Sequence, residues 1–269
     1  AEGFVMITGR PGTGKTTLGL QFLLEGRDAK ERVMLASLIE AREELMDVAD
    51  SHGWSLENVE LVEIPHETRA SAAATQTIFT PGEVEFTEIT DTILTAIQEY
   101  RPQRLVIDSI SQLAMMAGSW YQLRGPILEI KDLTRELGCT TLFIFSGHGD
   151  KHVELETIVH GVITLRMKTP AFGRISRDLI INKMRGTDFS SGYHNFRIRT
   201  GGIEIYTWPE PATQPQTRPW QVLSSGIQAL DTMLGGGLEN GTACLISGTT
   251  GTGKSTLASQ YAQTAAERG

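Results

Sequence analysis

The chain has 269 residues, 40% of them hydrophobic, enough apolar side chain for one large or two modest domains with a real core. Its 24 basic and 32 acidic residues give a formal charge of −8, which excludes a surface built as a whole for nucleic acid or an anionic membrane and leaves only a local basic patch open. Cys139 and Cys244, the only cysteines, each lie among apolar neighbours and make neither a disulfide framework nor a thiolate metal site; with no signal peptide and no apolar run of membrane-spanning length, the cytoplasm is the expected compartment.

The chain opens on an apolar run, Phe4-Val5-Met6-Ile7, that reads as a buried strand. Gly9-Arg10-Pro11-Gly12-Thr13-Gly14-Lys15-Thr16 follows at once, and Thr17 to Leu24 continues as a helix. Strand, G-x-x-x-x-G-K-[ST] and helix in that order predict a phosphate-binding loop. Glycines keep Cβ atoms out of a tight turn, so the backbone N–H groups of Gly12, Thr13, Gly14, Lys15, Thr16 and Thr17 can converge on an anion at the positive end of the helix. Lys15 is expected to bridge the β- and γ-phosphates of ATP, and the Thr16 hydroxyl to hold Mg2+.

Arg32 to Leu38 reads as a second buried strand and Ala41 to His52 as a helix with Leu45, Val48 and Ala49 on its apolar face and Glu43 and Glu44 on its solvated one. Glu40 falls at the carboxyl end of that strand, where an open α/β sheet places its chemistry, and could orient a water toward a γ-phosphate; the other reading is an acid in a first helical turn, favoured by the dipole. A strand over Val59 to Ile64, a polar loop from Pro65 to Gly82 and a helix over Thr87 to Tyr100 follow. Arg104-Leu105-Val106-Ile107-Asp108-Ser109 is an apolar strand ending in a carboxylate. A charge there needs a partner, and with a P-loop present Asp108 is expected to support the Mg2+ shell, directly or through water.

A helix over Tyr121 to Leu137 and a strand over Thr140 to Phe145 lead to Ser146-Gly147-His148-Gly149, a turn on the nucleotide side; His148 reads as a γ-phosphate sensor or as a solvent-facing loop histidine. Repeated strand, loop and helix units imply a mostly parallel sheet with helices on both faces. Beyond Gly161 short strands over 162–167, 175–182, 196–200 and 203–208, separated by Gly/Pro turns, predict antiparallel hairpins along one edge. Arg166, Lys168, Arg174 and Arg177 cluster on the first hairpin, as a solvated face, a subunit contact or a nucleic-acid patch. Lys183 and Arg185, at i and i+2 of an extended segment, read either as cations given to a neighbouring subunit's phosphate or as exposed residues beside a turn.

A proline-rich linker, 209–223, leads to a second loop, Gly248-Thr249-Thr250-Gly251-Thr252-Gly253-Lys254-Ser255, again after a candidate strand, Ala243-Cys244-Leu245-Ile246, and before a helix. Gly251, Thr252, Gly253, Lys254 and Ser255 are expected to bind a second nucleotide, with Ser255 toward Mg2+. Residues 1–208 read as one nearly whole domain and 224–269 as the start of another, so a longer natural protein is expected.

The strings Val106-Ile107-Asp108-Ser109, Lys183-Met184-Arg185-Gly186-Thr187 and 224–238, with both phosphate loops, resemble the KaiC family of RecA-like ATPases. The resemblance implies an α/β RecA-like P-loop fold, tandem domains in a double-ringed hexamer with ATP between subunits, and slow hydrolysis in the first ring. By position, Lys15 and Thr16 resemble its phosphate and Mg2+ pair, Asp108 its metal-shell acid, and Lys183 and Arg185 the cations given in trans. Where that family has two adjacent glutamates, this sequence has Ile39-Glu40; where clock proteins have a further lysine, it has Ser190-Ser191. The expected function is a ring-forming ATPase that meets regulatory protein partners. Alternatives are a nucleotide-gated scaffold with little hydrolysis, favoured by Ile39, and a RecA/RadA-like DNA-dependent ATPase, disfavoured by the charge of −8. Autokinase activity of a complete second domain is left open.

Overall fold

A computed structural model of the chain describes residues 3–64, 81–147, 153–207 and 221–268. The expected loop at 65–80, His148 and most of the linker lie outside the described residues. The chain divides into two units, Ala1–Trp208 and Pro209–Gly269.

In the first unit nine strands form one sheet: β1 (Phe4–Gly9), β2 (Val33–Ser37), β3 (Val59–Glu63), β4 (Arg104–Asp108), β5 (Thr140–Phe145), β6 (Gly161–Lys168), β7 (Ser176–Met184), β8 (His194–Arg199) and β9 (Gly202–Tyr206). Their order is β3-β2-β4-β5-β1-β6-β7-β8-β9. The first six run parallel, and β7, β8 and β9 extend the sheet by antiparallel pairing. This is the mostly parallel, helix-flanked sheet with hairpin extensions of a RecA-like P-loop fold.

Strands β1 and β4 are apolar almost throughout because both faces are covered. Phe4 and Met6 of β1, with Leu105 and Ile107 of β4, enter one core; Val5, Ile7 and Val106 enter the other. The first core lies under α3 (Pro81–Tyr100), α4 (Ile110–Met116) and α5 (Trp120–Glu136). The second lies under α1 (Lys15–Asp28) and α2 (Arg42–Ser51).

Three expectations shift. Helix α3 begins at Pro81 rather than near Thr87, as a proline without an N–H fits a first turn. Helix α4, whose Ile110 and Leu113 are buried, occupies residues for which no helix was expected; seven residues are too few for a clear periodicity. Lys183 lies inside β7 rather than after it, because Val162 and Gly161 continue the ladder to Lys183 and Met184 past an irregularity at Val162/Ile163.

The last hairpin turns back over the first helix. Gln21 on α1 donates to the Ile203 carbonyl at 3.3 Å and accepts from the Ile203 N–H at 2.8 Å. The Gly201 N–H donates to the His52 carbonyl at 2.9 Å. Between them Gly202 has φ +106, and a Cβ there would stand 2.5 Å from Trp54 and 2.7 Å from the Gln21 oxygen.

In the second unit β10 (Val222–Leu223) pairs antiparallel with β11 (Leu238–Glu239), and α7 (Gln228–Met233) and α8 (Lys254–Arg268) complete it. Asp231 accepts from the Ser225 N–H and hydroxyl at 2.8 and 2.7 Å, and Thr264 on α8 donates to the Ser225 carbonyl at 3.2 Å. The strand expected over 243–246 is not formed: Leu245 is 90% exposed, and an apolar run becomes a strand only where a neighbouring strand takes its hydrogen bonds.

Gly202→Ala is expected to destabilise the first unit by about 1–3 kcal/mol, through crowding and an unfavourable left-handed backbone, read as a lower urea midpoint. An unchanged midpoint would mean that the hairpin is not held against α1.

Candidate nucleotide-binding site

The loop leaves β1 at Gly9 and enters α1 at Lys15, and its form is set locally. Gly14, the residue before the helix, has φ +100, and a Cβ there would meet Ile198 of β8 at 2.6 Å, so the position needs glycine for both its angle and its neighbour. The Thr13 hydroxyl donates to the Arg10 carbonyl at 2.8 Å, and the Lys15 ammonium donates to the same carbonyl at 3.0 Å. One proton of three is thereby used, and the lysine is folded over the loop. The second loop repeats this bond for bond: Thr252 and Lys254 donate to the Thr249 carbonyl at 2.9 and 2.6 Å.

The ends of β2 and β4 lie side by side at the first loop. Ser37 of β2 is in register with Asp108 of β4, and the Leu38 N–H donates to the Asp108 carbonyl at 2.6 Å. Thr16 on α1 donates its hydroxyl to Asp108 Oδ2 at 2.6 Å, joining the loop to β4 across the intervening β5. Because the hydroxyl gives its proton to the carboxylate, its lone pairs remain for a cation. Asp108 is 8% exposed; burial pushes its carboxyl above the ordinary range, and the Thr16 hydroxyl and Lys15 ammonium offset part of that rise. Burial likewise lowers the Lys15 pKa, against the pull of Asp108.

Glu40 precedes Ala41, the N-cap of α2, so it lies outside the first helical turn; Glu43 and Glu44 are the acids there, and Glu44 accepts from the Ala41 N–H at 3.1 Å. The Glu40 backbone is held by a residue that sequence reasoning missed. The Ser37 hydroxyl donates to the Glu40 carbonyl at 2.7 Å and accepts from its N–H at 3.1 Å. A serine three residues before the acid was the available signal. Among the described residues, Glu40 Oε2 is buried without a hydrogen-bond partner. Burial first, then Asp108, then Glu44, push its carboxyl upward.

The structure therefore brings Lys15, Thr16, Asp108 and Glu40 together and does not bring Lys183 or Arg185 to them. Lys183 pairs through Val162 with Met6, three residues before the loop begins. That is roughly 10 Å back along the strands and two strands across. Its ammonium instead donates to the carbonyls of Glu156 and, at 2.8 Å, Val159, at the end of α6 (Val153–Ile158); Arg185 donates to the Thr157 carbonyl at 3.2 Å. On the first hairpin the expected basic cluster is partly neutralised, since buried Asp178 pairs with Arg166 at 2.8 Å and Lys168 at 2.7 Å. Among the described residues no cluster of three His, Cys, Asp or Glu side chains forms a metal cage, and no helix is long and apolar enough to cross a membrane. The pair of Thr16 and Asp108 oxygens fits Mg2+, which commonly takes few protein ligands and completes its shell with water and phosphate oxygens.

A glycine loop between β1 and α1, its lysine, and acids at the ends of β2 and β4 define a P-loop nucleotide-binding protein of RecA-like fold. The family described as "ATPase: KaiC" matches residues 2–210 and 223–269, and the chain belongs to it. It is similar to the circadian clock oscillator proteins KaiC of Parasynechococcus marenigrum, 30% identical over 97% of this chain and 51% of that one, and of Acaryochloris marina, 27% identical over 98% and 51%. The chain thus spans about half the length of these curated relatives. It is also similar to a UPF0273 protein of Thermotoga maritima, 30% identical over 75% of this chain and 86% of that one. Among solved structures, a KaiC-like protein of Pyrococcus horikoshii matches with a TM-score of 0.62 and 26% identity over 76% of this chain and 89% of that one.

The raised carboxyls give a pH signature. Folded Asp108 and Glu40 keep protons that the unfolded chain releases above about pH 4, so their contribution to stability falls as pH rises through their raised folded values. Asp108→Asn removes a buried charge and is expected to raise the unfolding temperature of the nucleotide-free protein at about pH 8 while changing it little near pH 3.5. An equal shift at both values would dismiss the charge as the cause.

Proposed function

We propose that this chain is the nucleotide-binding part of a ring-forming ATPase that hydrolyses ATP, with Mg2+, at the interfaces between subunits. The observation that supports the reading is the Thr16 to Asp108 hydrogen bond, which joins the first turn of α1 to a carboxylate whose field is felt by both Lys15 and Glu40. Loop N–H groups and Lys15 bind the phosphates, and Thr16 and Asp108 would hold Mg2+, which supplies neutralisation of phosphate charge. Glu40 accepts a hydrogen bond from the attacking water and draws its proton away. Its raised pKa makes it the stronger base, and the Ser37 bonds fix the backbone from which it reaches. The second loop, with the same lysine and threonine bonds, binds a nucleotide in the same way, with Ser255 in the place of Thr16.

Lys183 and Arg185 serve the site of the next subunit. Their place toward the opposite end of the strands supports this, since within one chain the register carries them away from the loop. The family, and cations placed away from the loop of their own chain, support self-association in a hexameric ring. Regulatory proteins are the expected partners, and the charge of −8 weighs against nucleic acid.

A nucleotide-gated scaffold with little turnover is the second reading. Ile39, where the family has a further glutamate, is 44% exposed and offers no second carboxylate at the end of β2.

Lys15→Ala, in protein that also carries Lys254→Ala so that the second loop does not report, is expected to remove most remaining ATP affinity; binding equal to that of the Lys254→Ala parent would sink the assignment of the first loop. Glu40→Gln should keep binding and assembly and cut turnover about tenfold or more. Mixing it with Arg185→Ala subunits should restore part of the lost turnover, because some interfaces then combine an intact Glu40 with an intact Arg185. Mixed rings confirmed by mass that stay inactive at every ratio would remove the shared site and leave the scaffold reading.

A further inference from the structure

Away from the loop, where the parallel strands begin, a cavity of about 60 Å³ opens between α5 and the first residues of β1, lined by Phe4, Lys131, Thr134, Arg135, Cys139 and His160, with Gly3 at its edge. Lys131, Thr134 and Arg135 share one face of α5 at i, i+3 and i+4. The backbone at His160 is tied to β1, its main-chain N–H donating to the Phe4 carbonyl at 2.7 Å.

Cations gather around this cavity although the chain as a whole is acidic. Lys131 spends one proton on the Ile158 carbonyl at 2.7 Å, leaving two. Lys183 on β7 and Arg185 just after it each donate to carbonyls of the same stretch, and the Arg185 backbone N–H donates to the His160 carbonyl at 2.9 Å. Among the described residues no carboxylate forms an ion pair with any of these four cations. Glu156 offsets part of the repulsion at Lys183. Helix ends account for some of the charge, since Arg135 stands in the last turn of α5 and three cations cap the end of α6. They do not account for a cavity whose wall carries two cations, a threonine and an imidazole with no acid among them. His160 registers the crowding: burial first, then Lys131, Arg185, Lys183 and Arg135, lower its pKa, and its Nδ1 is buried without a partner.

We propose that this cavity is a second anion site, separate from the P-loop, that takes a tetrahedral oxyanion of the size of inorganic phosphate between Lys131, Arg135 and His160. The volume is enough for such an ion. An anion there offsets the mutual repulsion of the cations, which makes the site selective for dianions over chloride. Occupancy reaches Lys183 and Arg185 through the end of α6, because they bond the carbonyls on either side of the one that Lys131 holds. The site stands apart from the ATPase reading and would hold if that reading failed.

The test is the pKa of His160, read by NMR of ring-labelled full-length protein, with the signal assigned through His160→Gln. Inorganic phosphate, compared with chloride at equal ionic strength, should raise it by about half a unit or more, since a bound dianion opposes four positive neighbours. Arg135→Gln, at an exposed position that leaves the fold intact, should reduce the shift, and Lys131→Met with Arg135→Gln should abolish it. Lys15→Ala should leave it in place. No response to phosphate, or a response that disappears with Lys15→Ala, overturns the proposal. So does a shift produced only by Mg-ATP and growing with protein concentration, which would give these cations to the nucleotide of a second copy.

Discussion

A carboxylate kept almost out of water is the constraint on which the site depends. Asp108 ends a strand buried on both sides, and ionised it is tolerable only if protons and positive charge are brought to it. Thr16 and Lys15 bring them, one by a hydrogen bond and the other by its field. Both belong to the first turn of α1, so satisfying Asp108 fixes where that helix starts. The helix start in turn fixes the loop. The cost that remains shows in the raised carboxyls of Asp108 and Glu40, and it is the kind of local cost that nucleotide sites keep because a bound cation removes it.

How much of this was legible in the sequence divides by range. The phosphate loops are local objects. The second copy takes the same threonine and lysine bonds as the first although the strand expected before it is not formed, so the loop needs little beyond its own residues. Strands are not local. Ala243 to Ile246 has the right composition and no ladder, whereas Lys183, polar and next to a glycine turn, belongs to a strand because Val162 lies opposite it. Asp108 was legible as the end of an apolar run. Ser37 was marked only by its spacing before Glu40, because its role depends on where the chain turns after β2.

Lys183 and Arg185 show the same limit at the level of function. Their spacing in an extended segment was readable, and so was their family likeness. That four successive carbonyls, from Glu156 to Val159, each receive a cationic side chain was not, since Lys131 comes from a helix far earlier in the chain. A helix end so supplied has its unpaired carbonyls satisfied without a glycine or a capping motif of its own. It also makes the position of α6 depend on three side chains, from α5, from β7 and from the residue after β7.

The return of the last hairpin onto α1 bears on how the domain is made. Gln21 and Ile203, which hold the two together, are 182 residues apart in sequence. Helix α1 can wind as soon as its own residues are free, but its outer face is closed only when the chain has been followed to β9. Contacts of such separation carry the entropy of closing a long loop, and folds rich in them fold slowly. During synthesis from the N-terminus, the first phosphate loop is therefore exposed on the ribosome well before the strand that covers its helix has emerged. A chain cut short anywhere before Ile203 would present that helix, Leu20 and Leu23 included, with part of its packing absent.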